Sequence, residues 1–354
     1  MLLDLYKYSG LHSKVKGMSR GLLTEGDYIE LLGKKSVTEI ALYLESNTSY
    51  KAALKSVNET ASIHRGELEK IIQQSFEDDF IKIMKFEKGG NKEFLRIYIL
   101  RYEIELLKVM LRMLENDTLN TLERHINEYF LKSMTIDVDR LKTSHNISQF
   151  IENLKGSVYS KLLSPFIVNK EHLNLFSIEM SLDIYYFKQV WKLKNKLLSP
   201  SDALIVKETF GSEVDLLNIL WVIRCKKYFN TPKELIYSFI VPINHKLQKE
   251  QLKSLVEAET FDDVLLLIEK TRYKNVFNKD DLFLEQYYLS YVAKILYSKS
   301  RLEPFSIMSS LGYLHIKEIE IANIIKIIEG VRYSENMREI KGYVIGKGGG
   351  TVGD

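Results

Sequence analysis

The chain has 354 residues, 45% hydrophobic and 27% charged, with 50 Lys and Arg against 47 Asp and Glu and a formal net charge of +3. Such a composition can bury a sizeable core and excludes wholesale disorder; the near-balance of charge excludes the concentrated basic face of a nucleic-acid-binding protein. A single cysteine, Cys225, excludes an internal disulfide and suits a reducing compartment.

In chain order, Met1 to Ser19 carries Asp4, Lys7, Lys14 and Lys16 among its apolar residues and lacks the apolar core of a signal peptide. No run of about 18 apolar residues occurs anywhere, so no segment is expected to span a bilayer. Thr24, ahead of Glu25 and Asp27, predicts a helix start. Proline is absent before Pro165, which suits long helices, because proline removes a donor and clashes with the preceding turn. Leu100, Ile104, Leu107, Leu111 and Leu114 step by four, three, four and three, which makes one stripe of a helix. Ser199 before Pro200 and Asp202 marks a second start. Ser212 before Glu213 and Asp215 reads as a third, with both acids placed to complement a helix dipole. Further stripes follow at Leu216, Ile219, Leu220 and Ile223, and at Ile321, Ile324, Ile325 and Ile328. The β-branched cluster Tyr237–Val241, stopped by Pro242, is the best strand candidate and is read instead as a helix end.

Repetition is the strongest signal. A helical segment ending in Thr/Ser-x-Tyr occurs three times, at Thr38–Tyr50, Asn146–Tyr159 and Phe261–Tyr273, with hydroxyls at Thr48, Ser157 and Thr271. Tyr185 and Tyr186 match Tyr287 and Tyr288 at an offset of 102. Glu213, Asp215, Asn218, Ile219, Ile223 and Tyr228 match Glu318, Glu320, Asn323, Ile324, Ile328 and Tyr333 at a constant offset of 105. The corresponding first-copy helix, Tyr102–Leu114, keeps acids at Glu103 and Glu105 but has no matching asparagine, and Lys108 stands near that position. Units this long are domain-sized, so the expected fold is all-α, with helical repeat domains at 1–135, 136–243 and 244–345 and a flexible Gly-rich tail at 346–354.

Candidate chemistry is sparse. The seven histidines are scattered, no metal-ligand spacing or HExxH occurs, and no metal or cofactor is expected. Glu213 with Asp215, and Glu318 with Glu320, stand at i, i+2 and so point apart on a helix, which favours capping over general acid–base catalysis. The terminal GKGGGT lacks the phosphate-loop pattern and any following helix. Asn218 and Asn323, set among apolar residues, each need a hydrogen-bond partner, found either in their own domain or across a polar cavity.

The segment GLHSKVKGMSRGLLTEGDYIELL, Gly10 to Leu32, resembles the N-terminal signature of the V-type ATPase subunit named d in eukaryotes and C in prokaryotes, and is nearer the eukaryotic pattern. IEMSLDIYYF from Ile178 is similar to that family's Glu-x-x-Leu-Asp-x-x-Tyr-Tyr block, and the two acidic–asparagine helices resemble its paired helices. The resemblance implies three pseudo-equivalent helical domains forming a funnel with a central socket. It implies a non-catalytic, monomeric rotor connector on the cytoplasmic face of the membrane. Its partners would be the central shaft subunits and the proteolipid ring, and it would transmit torque for proton or sodium transport. Glu213, Asn218, Glu318 and Asn323 are the residues taken to face the socket. The alternative is an α-helical scaffold unrelated to ion transport; an enzyme with a cryptic helical site is a third reading that no residue cluster motivates.

Overall fold

The computed structural model describes residues 2–55, 63–122, 126–168, 175–229, 231–277, 284–346 and 348–350. His125, His172, residue 347 and residues 351–354 of the expected tail lie outside the described residues. The protein is all-α. Among the described residues its frame is seven helices of 18 or more residues: α1 Leu2–Ser19, α2 Arg65–Met84, α3 Ile97–Glu115, α4 Leu175–Leu197, α5 Pro200–Lys227, α6 Leu284–Leu302 and α7 Met308–Tyr333. Shorter helices link them. Among the described residues no helix is long and apolar enough to cross a membrane.

The long helices follow one another as three consecutive couples: α4 packs along α5 and α6 along α7, while α2 meets α3 through aromatic side chains. Packing then runs from couple to couple. α3 lies against α4, α5 against α6, and α7 against α2, with α1 laid across α7 and α2. Phe76 and Phe80 of α2 meet Tyr98 of α3 at ring-centroid separations of 6.0 and 6.2 Å. The contacts therefore run in a closed circuit, and the last couple packs on the first.

Local sequence explains the elements. Thr24 accepts a hydrogen bond from Asp27 N while Asp27 reaches back to Thr24 N, a reciprocal cap for the helix Glu25–Leu32. Ser199 accepts from Asp202 N with Pro200 in the first turn, which starts α5. The stripe on α3 is buried at Ile104, Leu107, Leu111 and Leu114, and half-buried at Leu100. Tyr237 lies in the helix Lys233–Phe239, after which Ile240 is extended.

The cap expected at Ser212 is not there. α5 runs unbroken from Pro200, so Ser212 to Asp215 sit in its middle, and Ser212 Oγ donates to Glu208 O, one turn back. Gly211 does not break the helix. A Cβ on it would lie 2.7 Å from the His245 ring, so the glycine admits a close neighbour rather than a bend. Glu318 and Glu320 are likewise internal to α7. Four acids thus face protein rather than a helix dipole, and burying them demands specific partners.

Candidate functional site

For Asp215 and Glu320, and for Glu103 on α3, those partners are the three repeated tyrosines. Thr48 Oγ1 donates to Leu44 O and accepts from Tyr50 N; Thr271 Oγ1 donates to Ile268 O and accepts from Tyr273 N. The hydroxyl residue closes the helix end and aims the tyrosine inward. Tyr50, Tyr159 and Tyr273 are all fully buried. Tyr159 Oη donates to Glu103 Oε2 at 2.9 Å, Tyr273 Oη to Asp215 Oδ2 at 2.8 Å, and Tyr50 Oη to Glu320 Oε1 at 2.9 Å.

Each acid also collects backbone N–H groups. Glu103 accepts from Thr135 and Ile136, Asp215 from His245, Lys246 and Leu247, and Glu320 from Leu23. Every acid therefore fastens its long helix to the tyrosine that precedes the next couple of helices. The last of these bonds, from Glu320 to Tyr50, joins residues 270 apart and closes the ring. Burial pushes the Glu103 and Asp215 carboxyls up, although the backbone N–H groups draw them back.

The clamps correct the repeat register in the first copy. Glu103 is the counterpart of Asp215 and Glu320, so Arg101, not Glu103, stands opposite Glu213 and Glu318. The asparagine position falls on Leu106, and Lys108 instead pairs with Glu105 and Asp183, each at 2.9 Å. Arg101, Glu213 and Glu318 converge from α3, α5 and α7. Arg101 Nη1 lies 3.2 Å from Glu318 Oε2, and Tyr288 Oη donates to Glu213 Oε1 at 3.3 Å. Three carboxylates here would repel one another; one arginine in the triad removes that conflict. Glu318, whose carboxyl burial alone would raise, is held below the usual range by the Arg101 charge, whereas burial pushes Glu213 up. Arg101 was missed from sequence because the register was set on the wrong acid; the Tyr159 clamp is the signal that fixes it.

Folded Glu213 holds its proton at a pH where the unfolded chain has released its own. Folding then takes up a proton, and this group's contribution falls as pH rises from the carboxylate range of about pH 4. Glu213→Gln is expected to remove that decline. Urea midpoints measured from acidic to neutral pH should show the variant gaining on the unaltered chain as pH rises; parallel profiles would contradict it.

The four residues taken to face a socket separate into two kinds. Asn218 is fully buried and holds the Val241 backbone at both ends, with Nδ2 to O at 3.0 Å and N to Oδ1 at 2.9 Å. Asn323 does the same to Ile345 at 2.8 and 3.1 Å. These bonds stitch the segment after each long helix back onto that helix. Asn218→Ala would leave a buried N–H and C=O unpaired and should cost about 2 kcal/mol in denaturant unfolding. Glu213 and Glu318 belong instead to the axial triad. Beside that triad is a cavity of about 370 Å³, mainly apolar, lined by α2, α3 and α7 with Leu289 and Ile345; Arg101, His315, Glu318 and Asn323 are among its polar residues. Among the described residues no group of three or more His, Cys, Asp and Glu could hold a metal ion.

A family model described as ATP synthase (C/AC39) subunit matches residues 11–343. The chain belongs to this family. It is similar to the C subunit of the A-type ATP synthase of Methanosphaera stadtmanae, at 21% identity over 91% of this chain and 83% of that protein. The corresponding A-type ATP synthase proteins of Methanocaldococcus jannaschii and a Desulfurococcus species are 21% and 24% identical. They are covered over 88% and 91% of their lengths, with 98% and 95% of this chain matched. Membership makes the chain a rotary ATPase subunit that works inside a larger assembly. The family's all-α body is built here from three couples of helices locked by three acid–tyrosine clamps.

Proposed function

We propose that the chain is the non-catalytic connector of the central rotor in a V-type rotary ATPase or ATP synthase. It links the central shaft to the membrane proteolipid ring and transmits torque for proton or sodium transport. One copy serves each complex, held peripherally on the cytoplasmic face. The units 1–135, 136–243 and 244–345 form a funnel around a socket, with the tail after them, and Glu213, Glu318 and Asn323 lie toward the socket while Asn218 braces its wall.

The observation that carries this reading is the ring of clamps. A part that passes torque between two partners needs its long helices tied to one another all the way round, so that load on one couple reaches the others. Buried, multiply bonded carboxylates at all three junctions supply that stiffness. Each clamp spans two of the proposed units. Glu103 of the first holds Tyr159 of the second, Asp215 of the second holds Tyr273 of the third, and Glu320 of the third holds Tyr50 of the first.

The test is affinity purification of the tagged chain from native membranes, followed by identification of what comes with it. Shaft subunits and the proteolipid ring are the expected companions, and the isolated chain is expected to hydrolyse no ATP. A purely soluble partner set would sink the reading.

A further inference from the structure

The near-balance of charge over the whole chain hides a local excess at the turns that join the two helices of each couple. Residues 82–96, 192–204 and 299–306 hold ten Lys and Arg against four Asp and Glu, so the remainder of the chain holds 40 against 43. These three turns meet at one end of the molecule. Gly90 of the first abuts Leu197 O of the second, and Ile307 N, just past the third, donates to Asp202 Oδ1 of the second at 3.0 Å. Ser310 Oγ, at the start of α7, donates to Glu87 Oε1 of the first at 2.7 Å.

The cations at this end are open to solvent. Lys85, Lys88, Lys192, Lys196 and Arg301 are exposed, and none of them forms a salt bridge among the described residues. The acids beside them are occupied. Glu87 and Asp202 are buried, and Glu93 pairs with Arg96 at 3.2 Å. Glu303 is left as the one exposed acid outside a salt bridge in the three turns. Each turn also carries a bare apolar side chain. Phe86 is 46% exposed, Leu204 56% and Leu302 73%, with Phe305 next to Leu302. A single exposed leucine needs no explanation. One large apolar tip at each of three adjoining turns, set among unpaired cations, combines the two features of a membrane-surface contact.

We propose that this end of the molecule rests on the headgroups of anionic phospholipids. The Lys and Arg side chains reach the phosphates, and Phe86, Leu204 and Leu302 enter the boundary between headgroup and acyl chain. A nucleic acid would engage the charges and leave the leucines in water. A protein partner would set fixed carboxylates against these lysines, whereas a lipid surface moves its phosphates to meet them. The inference draws on the connector reading only for the nearness of a membrane. Headgroups are fluid, so such a contact holds the end at the bilayer without opposing rotation.

The experiment sediments the full chain with protein-free vesicles of phosphatidylcholine, with or without one third phosphatidylglycerol. At physiological ionic strength the unaltered chain should bind the anionic vesicles at least about tenfold more tightly than the neutral ones. Salt at about 1 M, where the Debye length is about 3 Å, should remove most of that difference. Lys85→Gln, Lys88→Gln and Lys196→Gln together should weaken binding to anionic vesicles about thirtyfold or more. Lys249→Gln, Lys270→Gln and Lys274→Gln change the net charge equally but lie near the Asp215 clamp, about 20 Å along α5 from its start, and should stay within about threefold. Leu302→Ser should weaken binding about tenfold with every charge in place. All these positions are exposed, and helical circular dichroism with the urea midpoint identifies any variant that has lost its fold. Equal binding to the two kinds of vesicle, no binding to either, or equal losses in the two lysine sets overturns the inference. If the unaltered chain ignores vesicles while the Lys85, Lys88 and Lys196 variant loses co-purification with the proteolipid ring, the end is a protein-docking face and the lipid assignment is wrong. The connector reading stands in all of these cases, because only the affinity purification from native membranes decides it.

Discussion

Glu320→Ala is expected to lower the stability of the isolated chain by about 4 kcal/mol, the scale of breaking a buried ion pair by removing one partner. Glu320 and Lys317 are almost wholly buried, with side chains 2% and 4% exposed and 2.7 Å between Oε1 and Nζ. Removing the carboxylate leaves the Lys317 ammonium without its counter-charge. It also leaves Leu23 N and Tyr50 Oη without their acceptor. Lys317 Nζ keeps its 2.9 Å contact with Tyr50 Oη and its place over the Tyr50 ring, neither of which carries a counter-charge.

The position of this clamp sharpens the expectation. The Glu103 and Asp215 clamps close loops of 56 and 58 residues, whereas the Glu320 clamp closes 270. On loop entropy alone the long closure is about 1.4 kcal/mol harder to form. This junction is also the one where the covalent chain does not run directly from one couple to the next. It carries Lys317 as an additional bonded partner, together with Arg65 to Glu329 at 2.6 Å and Tyr313 to Asp79. Loss of Glu320 should therefore release the N-terminal segment from α7 before the rest unfolds. Hydrogen exchange should show faster exchange around Leu23 and Tyr50 in the variant, with the α5–α6 junction protected. The double variant Glu320→Ala, Lys317→Met should recover about half of the loss, because the uncompensated charge is gone. A double variant no more stable than the single one would show that Lys317 is not what makes the loss large.

Much of this architecture is legible in the residues. Helix periodicity on α3, α5 and α7 gives the all-α body, and Thr24 and Ser199 are helix starts in the structure as in the sequence. The threefold spacing of Tyr50, Tyr159 and Tyr273 marks positions that prove equivalent. What sequence did not yield is which acid each tyrosine meets. A carboxylate two positions from another carboxylate looks like a helix start when only local neighbours are visible, and Ser212 completes that local pattern. Its real environment is set by residues far away along the chain, which periodicity along one helix does not encode. The same limit hid Arg101. A repeat can be aligned within a helix in more than one register, and only the contact with Tyr159 selects Glu103 over Glu105. Asn218 and Asn323 were recognisable as buried amides needing partners; that both partners are backbone groups just beyond the same long helix required the structure.

A second large effect is expected at the turns between the paired helices. Gly90, in the short helix Gly89–Leu95, lies against the end of α4, where a Cβ would sit 1.8 Å from the carbonyl oxygen of Leu197. The obstacle is backbone, so no rotamer change relieves it. Gly90→Ala must push the turn between α2 and α3 away from the turn between α4 and α5. The displacement would not stay local. Asn91 Nδ2 donates to Tyr8 Oη, and Tyr8 Oη donates to Asp202 Oδ2 at 2.6 Å. Asp202 Oδ1 in turn accepts from Ile307 N, just ahead of α7, at 3.0 Å. One buried chain of hydrogen bonds thus runs from the first turn through α1 to the start of α5 and the start of α7. Gly90→Ala should cost about 3 kcal/mol, at the upper end for overpacking. Gly66→Ala is the matched control. It lies in the first turn of α2 with nothing within 4 Å of its added Cβ, and should be neutral or stabilising by up to about 1 kcal/mol. Equal unfolding midpoints for the two variants would mean that the turns are free to separate, and that the stiffness of the ring comes from its acid–tyrosine clamps alone.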